Sequence, residues 1–384
     1  MKSIYLDNGA TSFPKPKCVG EAMHHYIVNV GANIGRGGYE EAMQAEEVVF
    51  ETRERIQTLF NAPDSRNVIF TQNITQSLNM VIKGYLKPGD HVLVSAMEHN
   101  AVMRPLVQLE KIGIKFSRIP CNEHGQLMEE QIESMILSET KAIIMMHASN
   151  VCGSVMPIER VGELCKANGL KFIVDAAQTA GVIPIDMERM NIDILTFTGH
   201  KSLMGPQGIG GFVISDEMVS QIEPLISGGT GSISNSEEIP TFLPDRYEAG
   251  TMNIPGIYGL HASLGFIIDV GLEAIHKKEM ALTHAFMKGL SKFEAVRCIG
   301  PKASDERTSV VSIQVDGIDI AELAYRLDSE YGIKTRVGLH CSPNAHITLN
   351  TYPVGTLRFS FGYFNEPEDV DYALKAIGKV LYGV

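Results

Sequence analysis

Between residues 65 and 215, short apolar runs rich in Val, Ile and Phe alternate with stretches whose apolar residues recur at helical spacing. The runs fall at 67–71, 91–95, 114–119, 142–147, 172–175, 194–197 and 211–214. Between two of them, Leu78, Val81, Ile82 and Leu86 mark one face of a helix. Continuous apolar strands separated by helices predict a mostly parallel sheet buried on both faces, because each crossover lays a helix on the sheet. Residues 40–60 read as one helix, with Val49, Ile56, Leu59 and Phe60 on one side. After about 255 the rhythm changes. A long helical segment at 260–293 precedes strands at 308–315 and 356–363 and helices at 319–330 and 366–381. The expected fold class is α/β: a large domain over 15–255, with a smaller α+β domain formed by 1–14 and 256–384.

The chain has 384 residues and a formal charge of −12, which speaks against nucleic acid as the main ligand. No apolar run reaches the roughly 18 residues that a membrane span needs. The first residues lack the apolar core of a signal peptide, so the expected location is the cytoplasm. None of the six cysteines forms a C-x-x-C pair, and no metal site is expected. Cys165 lies on the apolar stripe of a helix and reads as a small buried hydrophobe.

Ligands of open α/β sheets bind at the carboxyl ends of the strands. Here those ends carry Thr75, Glu98 with His99, Asn150, Asp175 with Gln178, and His200 with Lys201. Residues 71–77 join a strand to a helix. Free N–H groups there, with the hydroxyls of Thr75 and Ser77, suit a phosphate, while ordinary capping by Thr75 explains the same residues. The glycine-rich stretch 205–211 precedes a strand and so does not read as a dinucleotide loop. Asp175 closes an apolar strand, where a carboxylate needs a partner such as a protonated pyridine nitrogen. Lys201 sits between a strand end and a Gly-rich turn, a setting that suits a Schiff-base lysine. Asp, Lys and a phosphate cradle together are what pyridoxal phosphate requires.

The blocks Glu98-His99, 150–153, 174–178, 199–201 and 248–253, in this order, resemble the class V aminotransferase family of fold type I pyridoxal-phosphate enzymes, and within it the cysteine desulfurases. The resemblance runs from Tyr5 to Phe361. It implies that Lys201 is the Schiff-base lysine, that Asp175 pairs with the pyridine nitrogen, that Gln178 bonds the phenolic oxygen and that His99 stacks on the ring and handles the substrate thiol proton. It assigns the phosphate to the Ile74 N–H, Thr75, Thr198 and His200, with Thr251 reaching in from the other subunit of a homodimer. Asn150 would lie near the phenolic oxygen and the substrate carboxylate.

A second block, 336–343, holds Cys341 in a short turn beside basic groups, a setting for a reactive thiolate. It looks like the active-cysteine segment of the group II desulfurases, similar also to selenocysteine lyases. Arg358 then matches the arginine that binds the substrate carboxylate. Leu339 and Ser342 depart from residues common in that segment. The implied reaction converts L-cysteine to L-alanine and a persulfide on Cys341, which then needs an acceptor protein or a reductant. A selenocysteine lyase or a class V aminotransferase is the alternative. A non-catalytic protein of this fold fits less well, because it has no need of Lys201, Asp175 and Cys341 together.

Overall fold

The structure is a computed structural model describing residues 3–383 apart from 36, 234 and 305. A short strand β1 (Ile4–Tyr5) opens the chain. A seven-stranded sheet follows: β2 (Val68–Thr71), β3 (His91–Ser95), β4 (Lys115–Ile119), β5 (Thr140–Met146), β6 (Lys171–Asp175), β7 (Ile194–Thr198) and β8 (Gly210–Ile214), in the order β2-β8-β7-β6-β5-β3-β4. The strands from β4 across to β7 are parallel, while β8 runs antiparallel to both β7 and β2. The expected mostly parallel sheet is present.

Its burial follows from the alternation of side chains along each strand. Leu93, Ile143, Met145, Phe172, Val174 and Leu195 face a core shared with helices Glu40–Phe60, Ile158–Ala167 and Ile254–Val270. Their sequence neighbours Val92, Ala142, Ile144, Ile173 and Ile194 face the opposite core, with helices Ile74–Tyr85 and Asn100–Glu110. Both faces are dry, so polar function is confined to the strand ends.

The remaining strands are β9 (Val296–Ile299), β10 (Val310–Val315), β11 (Ile333–Lys334), β12 (Arg336–Gly338) and β13 (Thr356–Ser360). An antiparallel sheet of order β12-β13-β10-β9 packs on helices Leu272–Leu290, Ile320–Tyr331 and Pro367–Tyr382. Separately, β11 pairs in parallel with β1. The expected single helical segment at 260–293 is in fact two helices, Ile254–Val270 and Leu272–Leu290, bent by 82°. Gly271 makes the break with a φ of 87°, which L side chains rarely adopt. Ile257, Leu260 and Leu264 before it belong to the large sheet's core, whereas Leu282, Phe286 and Leu290 after it belong to the small sheet's. Among the described residues no single helix is long and apolar enough to cross a membrane.

Candidate active site

The turn after β7 delivers Lys201 into a cleft whose walls include Asp175 from the end of β6, Ile74 from the first turn of helix Ile74–Tyr85, and His99, Asn150 and Gln178. Residues spread over more than a hundred positions thus converge on one site. Asp175 is buried, and its Oδ1 accepts the Ala177 N–H at 2.9 Å. Burial pushes its carboxyl up, and the Lys201 charge partly opposes this. Burial likewise pulls the Lys201 ammonium down to about 8; Asp175 offsets part of the fall, while Arg358 and Arg336 add to it. Gln178 donates its amide to the Gly9 carbonyl (3.1 Å), tying the N-terminal segment to the cleft wall.

Thr75 does not cap its helix. Asn73 does, its Oδ1 accepting the Gln76 N–H at 3.0 Å. The Thr75 side chain is exposed, and the N–H groups of Ile74 and Thr75 lie in the first turn, ahead of any intrahelical partner. At the end of β7 and on the turn after it, the buried atoms Thr198 Oγ1 and His200 Nδ1 have no hydrogen-bond partner among the described residues. The His200 carbonyl takes hydrogen bonds from the Ser12 N–H (3.0 Å), Thr11 Oγ1 (3.0 Å) and Lys15 Nζ (2.7 Å), so the N-terminal segment straps this turn down. Burial, then Lys201 and Lys15, pull the His200 imidazole down to about 4. Thr251 is not in this cleft. It lines a neighbouring hollow with Gln72, Gln76 and Gly208. Its segment is anchored by Glu248, which pairs with Arg53 (2.6 Å) and accepts the Phe70 N–H (2.6 Å).

One helix start brings together His99 and Cys341. In helix Asn100–Glu110 the Ala101 N–H donates to His99 Nδ1 (3.0 Å), so His99 is the N-cap. The preceding N–H, of Asn100, donates to the Cys341 carbonyl (2.8 Å). Cys341 is exposed and has a φ of 60°, following His340 at 47°. Two successive left-handed residues turn the chain sharply at the thiol. Asn150 braces the turn from below: its Nδ2 donates to the His340 carbonyl (2.7 Å), and its Oδ1 accepts from Ser342 Oγ (2.9 Å). The hydroxyl of Ser342, a departure in the sequence, thus has a definite partner. Both ends of the Asn150 amide are engaged by the Cys341 turn.

Arg358 is buried, with Nη1 donating to the Asn150 carbonyl (2.8 Å), Nη2 paired with Asp7 (2.8 Å) and Nε without a partner among the described residues. Directly opposite it across β12 and β13 stands Arg336, exposed and unpaired among the described residues. Like charges facing each other in an antiparallel pair repel, and an anion placed near both relieves that repulsion. Sequence reading assigned no role to Asp7, Arg336 or the Ser342 hydroxyl. Asp7 and Arg336 lie within the span of the resemblance, but the Arg358 with which Asp7 pairs is 351 positions away.

The aminotransferase class-V family profile matches residues 4–373. The chain belongs to this family. Among curated relatives, a probable cysteine desulfurase of Pyrococcus abyssi is 34% identical, the match covering 98% of this chain and 94% of that protein. One from Methanothermobacter thermautotrophicus is 31% identical, with 96% and 92% covered. The apo cysteine desulfurase of Thermococcus onnurineus NA1 superimposes with a TM-score of 0.94 at 33% identity, covering 100% of this chain and 95% of that one. The cysteine desulfurase CsdA of Escherichia coli gives 0.90 at 29%, with the same coverage. The class V aminotransferase resemblance read from the sequence therefore stands, and the architecture is that of fold type I transferases.

Proposed function

We propose that the protein is a pyridoxal-phosphate-dependent cysteine desulfurase that converts L-cysteine to L-alanine and carries the sulfur on Cys341. The observation that carries this reading is the docking of the Cys341 turn onto the helix start that also seats His99, at a cleft holding Lys201 and Asp175. An aminotransferase has no use for a thiol at that place.

The residues present fit the cofactor. The unpartnered Thr198 Oγ1 and His200 Nδ1, with the first N–H groups of helix Ile74–Tyr85 and the Thr75 hydroxyl, offer hydrogen bonds to a phosphate. Asp175 is a buried carboxylate in need of a cation, and Gln178 Oε1 and Asn150 border the same space. When bound, the cofactor supplies an electron sink for a carbanion at the substrate Cα.

The chain's own groups do the rest. Lys201, with an ammonium that loses its proton near 8, takes the Cα proton. Arg358, held by Asp7 and aided by Arg336, orients the substrate carboxylate. Cys341 Sγ bonds to the substrate sulfur as the Cβ–S bond breaks, leaving a persulfide on Cys341 and, once Cβ and then Cα are protonated, L-alanine. The persulfide passes to an acceptor protein or a small thiol. The same reading takes the protein as a cytoplasmic homodimer in which Thr251 serves the partner's site, because it lies outside the cleft of its own chain. The test is to incubate the purified, cofactor-loaded protein with L-cysteine and measure alanine and sulfide with and without reductant. Stoichiometric alanine that becomes catalytic on adding reductant is the expected result; no alanine in either case refutes the reading.

A further inference from the structure

The capping bond at helix Asn100–Glu110 decides which nitrogen of His99 holds its proton. A backbone amide only donates, so the Ala101 N–H at 3.0 Å requires a bare Nδ1, and the neutral ring carries its hydrogen on Nε2. An imidazolium would need a second hydrogen on Nδ1. That would break the cap and set two donors head to head at the positive end of the helix.

The surroundings press the same way. Burial pulls the imidazole down to about 4, and every charge acting with it is a cation: Lys201 from the turn after β7, Arg104 on the same helix, Arg336 on β12 and Arg358 on β13. Two carboxyls stand nearby. Asp175 lines the same cleft on the far strand end. Glu98 is sealed against Ser95 Oγ (2.5 Å) and the Met146 N–H (2.9 Å), and burial holds it up to about 8 and so neutral. Nε2, in contrast, has no hydrogen-bond partner among the described residues, and the ring lines the cleft.

We infer that His99 works as a neutral hydrogen-bond donor, directing Nε2–H at the substrate sulfur, and not as the base that removes the substrate's thiol proton. This rests on the desulfurase reading above. The substrate sulfur keeps its proton while Cys341, as thiolate, attacks it. The new S–S bond uses the Cys341 lone pair, the Cβ–S pair passes to carbon, Cβ takes the proton that Lys201 removed from Cα, and Cα regains a proton from solvent, replacing the one the Cys341 thiol gave up on becoming a thiolate. The product on Cys341 is S–SH, and His99 ends as it began. A donor aimed at the sulfur fixes the direction of attack and makes that sulfur a better electrophile.

The test reads the ring directly. The chain has 12 histidines, so cofactor-loaded protein labelled with 15N-histidine is compared with His99→Asn, which keeps an N-cap and removes one ring, to assign the His99 signals. The expected result is a bare Nδ1, a protonated Nε2 and no titration between about pH 5 and 8. A ring that titrates in that range, or one protonated on Nδ1, overturns the inference. Kinetics give a second check. His99→Gln retains an N–H donor of similar reach, so kcat should fall about 10- to 100-fold while the pH profile of kcat/KM keeps its wild-type shape. Loss of an acidic limb in that variant would show that His99 is a base after all. The NMR result does not depend on turnover. Wild-type protein that makes no alanine would sink the desulfurase reading, and the tautomer would still be measured.

Discussion

Cys341 and Ser342 show how much of the site is decided by contacts between distant residues. Lys201 and Asp175 are legible in the sequence because each follows an apolar strand, where a charge is conspicuous. The Ser342 bond to Asn150 is not legible, since its ends are separated by 192 positions. In the sequence Ser342 is only a departure from a common alanine; in the fold it steadies the nucleophile's turn. Ser342→Ala should therefore cost about 1 kcal/mol of stability, the net worth of one such bond, and slow persulfide formation several-fold. Rapid-quench mass spectrometry of the Cys341 peptide measures that rate, and an unchanged rate would show that the bond does not position the thiol. Cys341→Ala is the sharper case. Cys341 is exposed, so the fold and cofactor binding should persist. Alanine formation from L-cysteine should fall by several orders of magnitude, because nothing else at that turn can accept sulfur. Alanine at the wild-type rate would leave Cys341 with no role in the reaction.

The elements that sequence reading places well are those whose pattern is local. The large sheet's strands and the helix Glu40–Phe60 match expectation because a dry strand and an amphipathic helix each carry their own periodicity. The helix break at Gly271 is missed because apolar residues continue on both sides of it, although they enter different cores. The short strands β1, β9, β11 and β12 are missed because two to four residues carry no period, and β1 and β11 pair across the length of the chain. Gly271→Ala tests the break. A Cβ there meets no atom within 4 Å, so the expected cost is that of holding a side chain at φ 87° and ψ 135°, about 1–3 kcal/mol. Helix Leu272–Leu290 also carries Glu279, buried and not used in the proposed chemistry, whose carboxyl burial pushes up to about 8. The unfolded chain loses that proton near pH 4. Between about 4 and 8 the native state thus holds a proton that the unfolded state has released, and this group's effect is to lower stability as pH rises. Glu279→Gln keeps the shape and removes the ionisation. It should raise stability at pH 8–9 by on the order of 1–3 kcal/mol, read as a higher melting temperature, and change little near pH 4. Equal effects at both pH values would contradict the buried-acid account.

At the scale of the whole molecule, a single chain leaves one part of the proposed site unexplained. Thr251 lines its own hollow, and the clamp of Glu248 on Arg53 and the Phe70 N–H fixes its segment there. Meanwhile Ile27 and Val28 on one segment and Met43 and Phe50 on the neighbouring helix are more than half exposed. Apolar exposure of this kind beside a fixed polar loop suits a self-complementary interface between two copies. Geometry then predicts a particular pattern of complementation. A Lys201→Ala chain has no proton-transferring lysine but a sound Thr251, and a Thr251→Val chain has the reverse. If Thr251 serves the partner's site, each variant dimer is impaired at both sites. A mixed dimer places the intact Thr251 of the Lys201→Ala chain at the intact Lys201 of the other, restoring one working site of two. Unfolding and refolding equimolar variants together should yield half mixed dimers, and so about a quarter of the wild-type activity per chain, where each variant refolded alone yields little. Should the mixture show only the average of the two parents, Thr251 acts within its own chain or not at all, and the shared-site dimer is wrong.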